Sequence, residues 1–214
     1  MKSKYLLPLV ILLLAITKGY TQNKPLTWHL GFSMDINQPR FETSTELLKD
    51  KLISNSSMGM GQSIGLGLGY SIHEKLDVRM SAQFKNMSYK NDSIGLDEVK
   101  MIVKSFQGLE LPLMLDYQFN DHGWGIGIGG QYYYGFQEQI TYQLLNNNQR
   151  QKASVKSEAK GWGYQMELTK QFKPDDKHNI QVGLIGQHFP NLVKSENGQF
   201  GFMNISLRLG LTFE

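Results

Sequence analysis

Two glycine-framed motifs and five histidines are the residues of this 214-residue chain whose types and spacing could do chemistry. Gly61-Gln62-Ser63-Ile64-Gly65 matches the nucleophile-elbow pattern of serine hydrolases, which needs a sharp strand-to-helix turn to expose its hydroxyl. The flanking residues alternate without a break, so Ser63 is expected inside a strand. Gly125, Gly127 and Gly130 match a dinucleotide fingerprint, but a phosphate-binding loop must open a helix, and Gln131-Tyr132-Tyr133-Tyr134 continues a strand. Both motifs are read as coincidence. His73, His122 and His178 fall in or beside short polar turns. His29 is expected in an interior, bonded to Arg or carboxylate neighbours. His188 is expected on an outward register near one rim, where it is the candidate group for a lipid-modifying enzyme. No serine and acid accompany it, so a lipid-headgroup contact is the expectation. The catalytic set is expected to be empty, with no metal and no cofactor.

Composition narrows the classes further. Cysteine is absent, which excludes disulfides, thiolate metal sites and a lipid-modified N-terminal cysteine. Met1 to Gln22 has the three parts of a signal peptide: Lys2 and Lys4, an apolar run from Tyr5 to Thr17, and small residues at Gly19 and Thr21. Residues 1–21 are expected to be cleaved after Thr21, leaving a barrel domain over residues 22–214. The apolar run is shorter than the roughly 20 residues a spanning helix needs, and Pro8 interrupts it. The formal charge of +3 comes from Lys2, Lys4 and Lys18 of this leader, so the remainder is neutral and nucleic acid is not expected as a partner.

The elements that must position these residues are strands. Leu26, Trp28, Leu30, Phe32, Met34 and Ile36 alternate with Thr27, His29, Gly31, Ser33 and Asp35. The same beat predicts strands near 26–36, 59–72, 76–90, 102–119, 124–144, 153–172, 179–189 and 200–213. Ser71 to Lys75, Asn120 to Gly123 and Lys173 to Lys177 are tight turns. Asn37 to Met58, Asn91 to Met101, a tip at Asn146 to Asn148, and Pro190 to Gln199 are predicted as longer loops. Short turns on one rim and long loops on the other are the pattern of an eight-stranded antiparallel up-and-down β-barrel in a bacterial outer membrane, with both termini on the periplasmic rim.

Bulk decides which face meets lipid. One face carries Trp28, Leu66, Leu113, Ile128, Leu184 and Leu207 among many large groups, more than an eight-stranded interior holds. The opposite face is rich in glycine (Gly61, Gly65, Gly67, Gly69, Gly125, Gly127, Gly129, Gly163, Gly210) and carries Asp77, Arg79, Glu110, Asp116, Gln165, Glu167 and Arg208. Buried charges in a narrow barrel must pair, so Asp77, Glu110, Asp116 and Glu167 are expected to meet Arg79, Lys85 and Arg208, giving a plugged lumen and no diffusion pore. Aromatics are expected in two belts. Trp28, Tyr70, Tyr117, Phe119, Trp124, Phe172 and Phe213 form the periplasmic one. Tyr89, Phe106, Tyr134, Phe136, Trp162, Phe189 and Phe200 form the outer one.

Outside the barrel wall, Thr43-Ser44-Thr45-Glu46 is a capping-box pattern leading into Leu47 to Ile53 and predicts a short surface helix. The fifth and sixth strands are expected to rise past the bilayer as a hairpin carrying Arg150, Lys152, Lys156 and Lys160, placed to contact lipopolysaccharide phosphates.

Leu109-Glu110-Leu111-Pro112-Leu113-Met114-Leu115-Asp116-Tyr117-Gln118-Phe119, the following Gly129-Gly130-Gln131-Tyr132 and the terminal Leu209-Gly210-Leu211-Thr212-Phe213 resemble the PorT-like outer-membrane β-barrel family of Bacteroidota. The resemblance covers most of the chain and implies a barrel of this size, a few relatives serving protein secretion or gliding. Glu214 after Phe213 departs from the aromatic terminus common there, and no catalytic residue transfers. The function expected is a non-enzymatic structural or interaction scaffold. Its partners would be outer-membrane lipid, lipopolysaccharide, and proteins met through the outer loops or periplasmic rim. An accessory subunit of a secretion or assembly complex, a lipid-modifying enzyme and a small-solute channel are the alternatives.

Overall fold

A strand whose faces meet different solvents alternates in side-chain character with period two, and the burial along each strand follows that rule. On the last strand Asn204, Ser206 and Arg208 are buried, whereas Ile205, Leu207 and Leu209 are each more than half exposed (57%, 61% and 53%). The polarity is inverted relative to a water-soluble protein: the buried face is polar and the exposed face apolar.

The computed structural model describes residues 26–43, 56–92, 99–119, 122–144, 150–174, 178–195 and 198–213. Its strands are β1 (Leu26–Thr43), β2 (Ser56–Ser57), β3 (Gly59–His73), β4 (Leu76–Asp92), β5 (Val99–Gln118), β6 (Trp124–Leu144), β7 (Arg150–Lys156), β8 (Lys160–Phe172), β9 (His178–Ser195) and β10 (Gly198–Phe213). The leader, residues 44–53 of the predicted surface helix and the Asn146–Asn148 tip lie outside the described residues.

Eight of these strands form the wall, each antiparallel to its neighbours, in the ring β1-β3-β4-β5-β6-β8-β9-β10. β1 pairs with β10 from Trp28 opposite Phe213 to Thr43 opposite Gly198, and β4 pairs with β5, so the sheet closes without a free edge. The short β2 pairs with β4 beyond β3, and β7 extends along β6 beyond β8. The expected closed, eight-stranded antiparallel barrel is the observed fold. At the short-turn rim Gly123 adopts a φ of 79°, the left-handed conformation that glycine enters without steric cost, and turns the chain into β6.

At the outer rim the strands run longer than the alternation predicts. β1 continues to Thr43 instead of ending at Ile36, and β9 continues to Ser195 through most of the predicted Pro190–Gln199 loop. The reason is physical. Apolar alternation persists only where the two faces meet different surroundings, whereas the backbone ladder needs no such contrast: β1 continues through Asn37, Gln38 and Arg40 beside β10, and β9 continues past a bulge that breaks its two-residue beat.

Besides register shifts of β5 against β6 at Gln107/Gly108 and Val99/Met101, two neighbouring irregularities interrupt this outer section. The predicted strand 153–172 is broken at residues 157–159, with Tyr134 paired to Lys160 below the break and Gln137 to Lys156 above it. Beside it, Phe202 pairs with Phe189 but Phe200 with Val193, so β9 bulges at Pro190, Asn191 and Leu192. Gly201 makes this bulge feasible, because the carbonyls of Phe189 and Pro190 occupy the space a side chain would need.

Candidate functional site: the lumen and the outer rim

The lumen is built in layers, because inward positions recur every second residue and hydrogen-bonded strands hold them at common heights. At the short-turn end, Gln118 donates to Gln171 across the mouth (3.1 Å). Above it the His29 ring lies between two hydroxyls, Nε2 at 3.1 Å from Thr27 Oγ1 and Nδ1 at 2.9 Å from Thr212 Oγ1. His29 is therefore interior as expected, but threonines hold it instead of Arg or carboxylate groups. Their hydroxyls reach it from the adjacent β10 and from its own strand.

The next layer is ionic. Arg79 donates to both oxygens of Asp116 (2.9 and 3.2 Å) and to Glu167 Oε2 (2.6 Å). Arg208 donates to the same Glu167 oxygen at 3.0 Å and to Gln181 Oε1 at 2.9 Å. Two guanidinium groups thus share one carboxylate, and further donors of theirs reach Asp116 and Gln181 while Arg208 Nε is buried without a protein acceptor, an arrangement that offsets part of the cost of burying charge. Glycines make room for it: a side chain at Gly183 would come within 2.6 Å of Glu167 Oε1, and one at Gly127 would strike Asp116. The space beside His29, Arg79 and Arg208 is about 20 Å³, room for about one water.

A second polar layer lies above. Lys85 Nζ stands 2.9 Å from Glu110 Oε2 and 3.3 Å from Asp35 Oδ2, and donates to Gln187 Oε1. Gln187 is the hub: its Nε2 lies within 2.7 to 3.0 Å of acceptors on Glu110, Gln131 and Gln165. Ser33 donates to Asp35 (2.7 Å) and lies 2.8 Å from Ser63, which donates to Gln83 (3.2 Å). Ser63 is thus a buried strand residue among hydroxyl and amide neighbours, and the motif around it has no turn. Gly125 and Gly127 likewise lie within β6 and make space for lumenal side chains.

Over this polar column sits an apolar plug of Met87, Tyr89, Phe106, Tyr133, Ala159, Phe189, Leu192 and Phe202, all buried. Phe106 and Phe202 meet edge to face at 6.0 Å, and Tyr133 and Phe189 at 6.1 Å. This corrects the predicted outer belt. Tyr89, Phe106 and Phe189 point into the lumen, while Tyr134, Phe136 and Trp162 face outward; the Phe200 side chain lies outside those described. The signal was in the sequence. Tyr89 shares the face of Arg79 and Lys85, Phe106 that of Glu110, and Phe189 that of Gln187. Grouping aromatics by height alone discards that parity.

Of the expected ion partners, the structure joins Arg79, Lys85 and Arg208 to Glu110, Asp116 and Glu167, and adds Asp35. Gln181, Gln187, Gln131 and Asn204 complete the networks and carry no sequence signal beyond inward parity. His188 stacks on Tyr164 (5.7 Å, 21°) and faces Met203 across the other ladder, on the outward register expected. His73, His122 and His178 are exposed at the short-turn rim. Among the described residues no three His, Asp or Glu side chains converge as metal ligands would. The aromatics of the short-turn rim, Trp28, Tyr117, Phe119, Trp124, Phe172 and Phe213, face outward, as expected.

A family model described as the outer membrane protein β-barrel domain matches residues 20–212. No curated protein matches the chain in sequence. Among solved structures, the chain is similar to Neisserial surface protein A (10% identity, 90% of this chain and 99% of that one, TM-score 0.45). It is also similar to OprG from Pseudomonas aeruginosa (12%, 88% and 94%, TM-score 0.45) and to Ail, the attachment invasion locus protein of Yersinia pestis (12%, 90% and 100%, TM-score 0.43).

Proposed function

Since the chain belongs to the outer membrane protein β-barrel domain family, and so to the outer membrane, we propose that it is a non-conducting, non-enzymatic scaffold whose rims meet its partners. The observation that carries this reading is the filled lumen: two ionic and amide layers under a plug whose rings touch from opposite walls. A solute path would require separating Arg79 from Glu167 and Lys85 from Glu110, each a buried charge left without its partner at a cost of about 3–5 kcal/mol. The neighbours of His188 are Tyr164 and Met203, not a serine and an acid, and this argues against lipid modification. In this reading residues 1–21 are removed on export, and the chain is one of the PorT-like members found in Bacteroidota.

Planar-bilayer recording of the purified protein tests it. Steady ohmic openings would replace the scaffold with a channel; a silent bilayer is the expected result. The PorT-like resemblance also favours an accessory role in a secretion or assembly complex. Purification from native membranes separates the two: a stoichiometric partner marks the accessory subunit, an isolated barrel the stand-alone scaffold.

A further inference from the structure

The break between β7 and β8 and the bulge in β9 lie side by side at the same height. The β8–β9 ladder ends at Tyr164 opposite His188, although β8 begins at Lys160 and β9 runs on to Ser195. Pro190 has no N–H to offer a ladder there. A cavity of about 900 Å³ opens at this place. It is floored by buried Ala159 and Leu192, which belong to the apolar plug, and bordered by Tyr132, Tyr134 and Trp162 on the lipid side. The Tyr132 and Trp162 rings lie 5.0 Å apart, and Trp162 is 71% exposed, the largest exposure among the big apolar side chains described. Lys156 and Lys160 border the same cavity, with Glu158 between them.

Height identifies what fits. Trp162 and Tyr134 stand at the outer aromatic belt, the level where a bilayer passes from acyl chain to headgroup. Lys160 pairs with Tyr134 at that level, and Lys156 lies just beyond it, on the water side. The cleft is therefore apolar and aromatic below and cationic above, by two lysines against one glutamate. This is the complement of an acyl chain ending in an anionic headgroup. Basic side chains elsewhere on β7, Arg150 and Lys152, lie farther from the wall and do not border the cavity.

We propose that this wall cleft binds a phosphorylated, acylated glycolipid of the outer leaflet, with a phosphate held by Lys156 and Lys160 and an acyl chain along Tyr132, Tyr134 and Trp162. The inference does not depend on the lumen being closed. It differs from a diffuse electrostatic attraction of the outer hairpin, because only two of the hairpin's basic residues reach the cavity.

The test uses the mature protein in nonionic detergent with Trp28→Phe and Trp124→Phe, both at the opposite rim, so that Trp162 is the remaining one of the three tryptophans. The probes are diphosphoryl lipid A, its dephosphorylated form and palmitate. Diphosphoryl lipid A is expected to shift Trp162 emission to the blue and to bind more tightly than either of the others. Lys156→Gln with Lys160→Gln is expected to weaken its binding about thirtyfold, while Arg150→Gln with Lys152→Gln changes it less than about twofold. Equal losses for the two pairs would reduce the site to a diffuse basic surface. Unchanged binding in both pairs, equal affinity for the dephosphorylated form, tighter binding of palmitate, or no binding at all would each overturn the proposal.

Discussion

Phe106 on β5 and Phe202 on β10 touch edge to face at 6.0 Å although their strands stand on opposite sides of the eight-stranded ring. Two side chains from opposing walls thus span the lumen. The same geometry brings Lys85 of β4 to Gln187 of β9, one layer below.

Replacing both rings, Phe106→Ala with Phe202→Ala, is expected to destabilise the barrel by about 3–5 kcal/mol per ring as an upper bound, since each leaves a cavity in a packed layer. The Lys85 layer beneath still closes the lumen. The variant should therefore unfold at a lower temperature by its heat-dependent shift on SDS gels while remaining silent in planar bilayers. A variant that conducts would show that the plug alone is the seal.

Glu167 is the carboxylate shared by Arg79 and Arg208. Glu167→Ala leaves two guanidinium groups in a buried space without the carboxylate they share, with Asp116 still bound to Arg79. Urea unfolding in lipid vesicles is expected to report a loss of about 3–5 kcal/mol. Arg208→Met in the same background should recover part of it, because one of the two unmatched charges is gone. A loss below about 1 kcal/mol, the range of exposed pairs, would mean that water reaches this layer.

Leu207 and Ser206 are sequence neighbours on opposite faces of β10, one 61% exposed to the outside and the other buried in the lumen. Leu207→Arg is expected to cost about 2–4 kcal/mol in vesicles if it lies near the bilayer midplane. The same substitution assayed in detergent, where the belt is thinner and deformable, should cost less. Equal, negligible effects in both media would contradict a lipid-facing β10.

How much of this was legible depends on what each feature is made of. Strand identity, the inward set from Asp35 to Arg208 and the outward set from Trp28 to Leu211 follow from alternation and were readable. The outer ends of β1 and β9 were not: β1 leaves the apolar alternation at Asn37 while its backbone ladder to β10 continues, and β9 passes through a bulge that breaks the two-residue beat. The inward position of Tyr89, Phe106 and Phe189 was readable by parity. That they meet in one plug was not.

Alternation is a local property: each strand records, residue by residue, the two environments on its sides, so the sequence by itself determined an inverted barrel with a polar lumen and a lipid-facing wall. Which lumenal residues touch is a property of closure. The stagger of eight strands places Phe106 against Phe202, makes Gln187 the hub between Glu110, Gln131 and Gln165, and sets the break between β7 and β8 beside the bulge in β9. No single strand carries that stagger, since it is fixed by hydrogen-bond registers that must be mutually consistent around the whole ring. Only the tertiary structure, therefore, decided that side chains from opposing walls meet across the lumen and that, among the described residues, a cleft opens where the break between β7 and β8 lies beside the bulge in β9.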